Sequence, residues 1–226
     1  MFFHCITALK ILLLPTMKHI LIADDHSLIR SGLRMLLDKM AFKTDISEAW
    51  DARSVMTRMK EKSFDLVLLD IQMPATDSVV LMHWIQSFYP DTRILIVSQN
   101  PENTYGKRYM LLGAHGFISK TASDEEMIKA ITQVIGGNTY VSAELSQSIV
   151  RGVFSGASAN PFDQLSQREF QVVICLAKGY PMNEICDMLQ VQYSTAHTHK
   201  RRAFEKLNIE DNKQLADLAG AYDLLS

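Results

Sequence analysis

The sequence predicts an α/β domain built on a parallel sheet, followed by a small all-α domain. Three observations carry this. Short runs of strand character recur five times up to residue 119, most of them apolar, each followed by a segment with helical spacing. Four of these runs deliver a carboxylate, hydroxyl or ammonium where the run ends. Beyond Pro161 only helical periodicity remains.

The organising stretch is FDLVLLDIQMP, residues 64–74. Leu66 to Leu69, with Phe64 before and Pro74 after, read as a short strand buried on both faces. That strand delivers Asp70 to the carboxyl end of the sheet, where open α/β folds place their chemistry. HILIADD (19–25) ends in Asp24-Asp25, RILIVS (93–98) in Ser98, and GFISK (116–120) in Lys120. Together the strands fall near 19–23, 43–47, 65–70, 93–97 and 116–119, and the helices near 27–40, 50–61, 78–88, 102–112 and 123–136. The first helix carries Leu28, Ile29, Leu33, Leu36 and Leu37 at helical spacing.

Residues 138–160 change character, ending in a Gly/Ala/Ser-rich tract that suits a linker, with a short helix from Ser142 to Val150. Thereafter LSQREFQVVICLAKG (165–179), MNEICDMLQ (182–190), YSTAHTHKRRAFEKL (193–207) and a last stretch near 211–222 read as helices. The expected domains are therefore 17–137 and 161–226, joined by 138–160.

Composition excludes several classes. With 226 residues and a net charge of −2, no global field draws the chain to nucleic acid, so any such binding rests on a local cluster. The three cysteines form no CxxC, which argues against a zinc site or a disulfide framework and suits a reducing cytoplasm. Residues 1–16, MFFHCITALKILLLPT, are too short and too interrupted by Lys10 to span a bilayer, so no membrane insertion is expected. They also lack the basic start and cleavage site of a signal peptide. Met17 is the expected working start; the alternative is an apolar extension that packs on the domain or a partner.

The positive cluster lies in HTHKRRAFEK (197–206), where Lys200, Arg201, Arg202 and Lys206 oppose Glu205 alone. Residues 161–226 taken whole lean acidic, seven Lys/Arg against nine Asp/Glu with the cluster included, so the positive charge is concentrated on one helix, as a major-groove reader requires.

The carboxylates, hydroxyl and ammonium at the strand ends resemble the receiver domain of two-component response regulators. Residues beyond about 160 resemble their LuxR-type helix-turn-helix output domain. Together, residues 18–225 resemble the NarL/FixJ type. The resemblance implies a flavodoxin-like, doubly wound five-stranded sheet of order 2-1-3-4-5. It implies Mg²⁺ held by Asp25, Asp70 and the backbone carbonyl of Gln72, with Asp24 acting through water. Asp70 is then the phosphoacceptor, Ser98 and Lys120 contact the phosphoryl group, and Phe117 is the switch aromatic. His197, Thr198 and Arg201 would face base edges, and Lys200, Arg202, Thr195, Asn183 and Lys206 would face phosphates. The implied partners are a sensor histidine kinase or phosphotransfer protein, double-stranded DNA, and a second copy of the chain when phosphorylated.

The chain departs from the family pattern in several places. Ser78 stands for the loop glycine, Phe117 for a commoner tyrosine, and Gln99 for a small residue beside the phosphoacceptor, where it would act as a gate. In the output domain Ala196 and Ala203 replace larger aliphatics, His197 a frequent lysine, and Gln192 a capping serine. An enzyme of the haloacid-dehalogenase phosphatase type would need an acidic residue two positions after the nucleophile, where Gln72 stands, so no enzyme is expected. The alternative to the phosphorylated regulator is a receiver that has lost phosphorylation and serves as an interaction module.

Overall fold

The computed structural model describes residues 17–143, 145–147, 160–222 and 224–225. The leader and most of the linker fall outside the described residues.

Five strands, β1 (Lys18–Ala23), β2 (Thr44–Ala49), β3 (Leu66–Leu69), β4 (Arg93–Ser98) and β5 (Gly116–Ser119), form a parallel sheet of order β2-β1-β3-β4-β5. Alternation sorts their side chains between two cores. Ile20, Ile22, Leu66 and Leu68 face Leu33 and Leu37 of α1 (Ser27–Leu37) and Met127 and Ile131 of α5 (Asp124–Ile135). Leu21, Val67 and Leu69 face α2 (Ala52–Glu61), α3 (Ser78–Phe88) and α4 (Glu102–Leu111). The sheet is thus covered on both sides, and the carboxyl ends of β1 and β3 lie adjacent in register, Ala23 against Leu69.

Helix boundaries follow their caps. Asp51, Asp77 and Ser123 accept backbone N–H bonds at the starts of α2, α3 and α5. One helical expectation is corrected. Leu28 was expected on the buried face of α1 but is 82% exposed. Five residues at about 100° each place it about 140° from Leu33, away from the sheet.

The second domain opens with a 3₁₀ turn (Pro161–Gln164) and four helices, α6 (Gln167–Ala177), α7 (Met182–Leu189), α8 (Tyr193–Leu207) and α9 (Asn212–Ala221). Helix α6 starts two residues later than the periodicity suggested because Ser166 is its cap. The Ser166 hydroxyl accepts from Glu169 N while the Glu169 carboxylate accepts from Ser166 N, a reciprocal capping box. It ends at Ala177, with Gly179 left-handed at φ 86°.

The packed first domain runs beyond residue 137. Tyr140 is 3% exposed, pairs with Gly116 beside β5, and donates its hydroxyl to Glu126. Ser142 Oγ accepts from Leu145 N, as a helix N-cap does; the end of the expected helix lies outside the described residues. Among the described residues no helix is long and apolar enough to cross a membrane.

Candidate functional site

Strand geometry brings three side chains from β1, β3 and β5 to one point. Asp24 follows β1, Asp70 follows β3 and Lys120 follows β5, so parallel strands ending at one level converge them. Lys120 Nζ lies 2.6 Å from Asp24 Oδ2 and 2.8 Å from Asp70 Oδ2, all three side chains at most 3% exposed. The other Asp70 oxygen accepts from Gln72 N at 3.1 Å, which fixes the carboxylate plane.

The electrostatics of this cluster are unbalanced: two carboxylates share one ammonium. Burial raises the Asp70 pKa above its ordinary value; Lys120 opposes this, and the Asp24 charge adds to it. Burial alone would lower the Lys120 pKa, but its bonds to Asp24 and Asp70 outweigh this and hold it above its ordinary value.

Asp25 and His26 complete the rim. Asp24, Asp25, His26 and Asp70 bring one ligand atom each to within 4.8 Å of one another. Asp25 Oδ1 is buried and accepts no hydrogen bond, although His26 Nδ1 approaches to 2.9 Å. A concentration of hard oxygen donors with one buried oxygen unsatisfied fits a small divalent cation, as Mg²⁺. His26 was missed by the sequence reading. Its backbone N–H donates to Asp24 Oδ1 at 2.8 Å, and its place directly after Asp24-Asp25 was the available signal.

The remaining predicted site residues are placed as follows. Ser98 is fully buried, its Oγ accepting from Asn100 N at 3.1 Å rather than touching Asp70. Phe117 is fully buried against Tyr109 of α4, ring centroids 6.3 Å apart. Gln99 is exposed, and it is Asn100 that lines the cleft beside Asp25 and Gln72.

In the second domain α7 and α8 form a helix-turn-helix whose turn passes through Gln190 in the left-handed region, φ 50°. Helix α8 turns Ala196, Ala203, Phe204 and Leu207 inward. The two alanines are fully buried, so a larger aliphatic there would need α8 to stand farther from its neighbours. The opposite face presents His197, Arg201 and Arg202, with Lys200 half-buried. Lys200 Nζ lies over the Phe204 ring, Arg201 pairs with Glu205 at 2.9 Å, and His197 packs on Tyr193. Asn183 and Thr195 are exposed at the starts of α7 and α8. Thr198 Oγ1 donates to Ser194 O within the helix.

Lys206 is set apart from that face. Its ammonium lies 2.7 Å from the Glu169 carboxylate, which is 4% exposed and carries the α6 capping box. Burial alone would raise the Glu169 pKa; the bonds from Lys206 and Ser166 more than offset it and hold it below its ordinary value.

A doubly wound domain with a buried Asp–Asp–Lys cluster, followed by a helix-turn-helix with a cationic outer face, defines a signal-receiving DNA-binding regulator. Comparison with known proteins agrees. Residues 20–132 match the response regulator receiver domain and residues 163–219 the luxR family of bacterial regulatory proteins. The chain is 31% identical to the response regulator GacA of Pseudomonas aeruginosa, covering 90% of this chain and 95% of that one. It is 29% identical to the response regulator UvrY of Escherichia coli, covering 90% and 94%. A structure of RcsB from Salmonella enterica serovar Typhimurium, bound to a promoter with the phosphomimetic BeF3−, shares the fold at TM-score 0.63 and 21% identity, covering 90% and 98%. The chain belongs to the NarL/FixJ-type response regulators, with a receiver domain and a LuxR-type DNA-binding domain.

Proposed function

We propose that Asp70 accepts a phosphoryl group from a phosphohistidine donor and that its phosphorylation controls how α8 reads DNA. The observation that carries this is the pairing of one ammonium, Lys120, with two buried carboxylates at 2.6 and 2.8 Å. Such a cluster costs stability and makes sense as a site for developing charge.

An Asp70 oxygen attacks phosphorus in line, the P–N bond breaks, and the histidine leaves as imidazole, giving an acyl phosphate. Lys120 moves from balancing two carboxylates to balancing the phosphoryl oxygens. Gln72 N holds Asp70 in the attacking orientation. Asp24, Asp25, Asp70 and the Gln72 carbonyl would hold Mg²⁺, which supplies charge neutralisation when bound. Ser98 is the hydroxyl that exchanges its bond to Asn100 N for one to the phosphoryl group.

On the output side, Arg201 and His197, with Thr198, supply the base-reading edge of α8. Lys200, Arg202, Asn183 and Thr195 supply backbone contacts. Two copies of the chain brought together by phosphorylation would present two such helices to a two-fold site. Cytoplasmic location follows from these partners.

Acid-labile phosphate formed on incubation with acetyl phosphate and Mg²⁺ tests this reading. Label is expected on the native chain and absent from Asp70→Asn. Label persisting on the variant moves the acceptor elsewhere, and no label on either leaves the receiver as an interaction module.

A further inference from the structure

Helix α1 is entered through His26, and the side chain at that position does no capping. Its backbone is extended, φ −86° and ψ 111°, but the imidazole makes no bond to the N–H groups of the first turn. Serine, threonine, aspartate and asparagine stabilise such a position because their side-chain oxygens reach those groups. The ring turns instead toward the acids of the phosphoacceptor cleft. Its Nδ1 lies 3.2 Å from Asp24 Oδ1 and 2.9 Å from Asp25 Oδ1.

These are the spacings of neighbouring donors on one ion. Two atoms at right angles on an octahedral cation, each about 2.1 Å from it, stand about 3.0 Å apart. Donors on opposite sides stand about 4.2 Å apart, and the ligand atoms of Asp24, Asp25, His26 and Asp70 all lie within 4.8 Å of one another. Hydrogen bonding accounts for only one of the two short distances. Nδ1 is placed to bond Asp24 Oδ1, whereas Asp25 Oδ1 is buried and accepts no bond from it. Charge points the same way. Three carboxylates and one ammonium leave two negative charges, which a single divalent ion balances. A neutral imidazole adds a donor atom to that set without adding charge.

We infer that His26 Nδ1 is a further ligand of the cation site, and that through it the site selects a divalent first-row transition ion such as Mn²⁺ or Fe²⁺ over Mg²⁺. This inference rests on Asp24, Asp25 and Asp70 as the cation site. Oxygen donors alone suit Mg²⁺, a hard ion that keeps its waters and gains little from a nitrogen. An imidazole is a softer donor, and it strengthens binding of the transition ions that compete for the same oxygens. With the ring proton on Nε2, Nδ1 presents its lone pair to the cleft. The loop already holds the ring there. His26 N donates to Asp24 Oδ1 at 2.8 Å, and Arg30 donates to the Asp24 carbonyl at 2.8 Å. The aspartate that would share the ion with His26 therefore also fixes its backbone.

The test uses the full unphosphorylated chain, native and with His26→Gln or Asp25→Asn, and Mn²⁺ as the probe. The His26 side chain is 58% exposed and caps nothing, so its replacement leaves the fold intact. Electron spin echo spectroscopy of bound Mn²⁺ should show coupling to a ligand nitrogen in the native chain and none in His26→Gln. In calorimetric titration His26→Gln should lower Mn²⁺ affinity at least about ten-fold, the cost that loss even of a group behind a ligand carries. Its Mg²⁺ affinity should stay nearly unchanged. Mn²⁺ that binds in dependence on Asp25 but shows no nitrogen coupling overturns His26 as a ligand. Coupling that survives in His26→Gln puts the nitrogen on another residue and overturns it as well. Equal losses for Mn²⁺ and Mg²⁺ overturn the selectivity. Mn²⁺ binding that is absent, or indifferent to Asp25→Asn, overturns the cation site itself.

Discussion

Both domains hold a buried carboxylate against a lysine, and Asp70 and Glu169 behave oppositely. Asp70 meets Lys120 at 2.8 Å in the receiver, and Glu169 meets Lys206 at 2.7 Å in the output domain. Burial wins at Asp70 and raises its pKa, whereas hydrogen bonds win at Glu169 and lower it. The difference is the company each keeps. Asp70 shares its lysine with Asp24 and gains one backbone donor, while Glu169 gains Ser166 N and has Lys206 to itself. A pair that is electrostatically short of a cation is arranged for chemistry, and a pair that is balanced holds a helix in place.

Substitution should separate the two most sharply at Asp70. A carboxyl whose folded pKa is raised contributes stability present below its unfolded pKa and lost as pH rises through the folded value. At neutral pH the ionised Asp70 therefore costs stability, and Asp70→Asn leaves Lys120 paired with Asp24 rather than orphaned. Alongside its loss of label, the variant should be more stable than the native chain by about 1 kcal/mol or more at pH 7, an advantage that shrinks on acidification. Denaturant unfolding at pH 7 and pH 4 measures this, and a destabilised Asp70→Asn breaks the comparison.

Glu169→Gln should act in the other direction. A depressed carboxyl contributes stability above its unfolded pKa, lost as pH falls through the folded value. Lys206 is 40% exposed and can return to water when its partner is neutralised, so no charge is left buried. The expected cost is about 1–3 kcal/mol at pH 7, largely from weakening the capping box and a charge-assisted bond. Thermal unfolding of the output domain should show it, converging with the native chain in acid.

The contrast also marks what was legible in the sequence. Asp24, Asp70 and Lys120 were readable because parallel strands carry their last residues to one level, so a short apolar run ending in a charge predicts where the charge lies. Helical spacing gave a small helical domain and the positive cluster marked one of its helices; the helix-turn-helix itself was read from the resemblance to the LuxR-type output domain. Tyr109, Arg108 and Gln167 were not read as partners, because they meet through packing between domains that no local period encodes. Leu28 was misplaced since an apolar residue satisfies a helical pattern by eye when its true angle points to solvent. Lys206 looked like any other cation in its cluster, and only the fold shows Glu169 beneath it.

Arg201, paired with the exposed Glu205, and Lys200, lying over the Phe204 ring, extend the comparison to charges outside the buried pairs. Arg201→Ala, removing a candidate guanine contact, should cost about 1–3 kcal/mol on a true operator and far less on random DNA. Equal losses on both would remove it as a base reader.

The smallest effect expected concerns Lys206, and it sharpens the contrast most. A lysine that neutralises a DNA phosphate releases a counterion, so its removal flattens the salt dependence of log K by about one unit. Lys200→Ala should do this, since its ammonium lies over the Phe204 ring and, among the described residues, is held by no carboxylate. Lys206 is already spoken for. Its charge is neutralised by Glu169 at 2.7 Å, and to reach a phosphate it would have to leave a buried carboxylate unpaired. Lys206→Met should therefore leave the salt slope nearly unchanged while lowering the stability of the output domain, as Glu169→Gln does. Binding to random DNA across a salt series, for both variants, decides the matter. If Lys206→Met flattens the slope as much as Lys200→Ala, the lysine abandons Glu169 for the phosphate on binding, and the pair is a switchable contact rather than a fixed one.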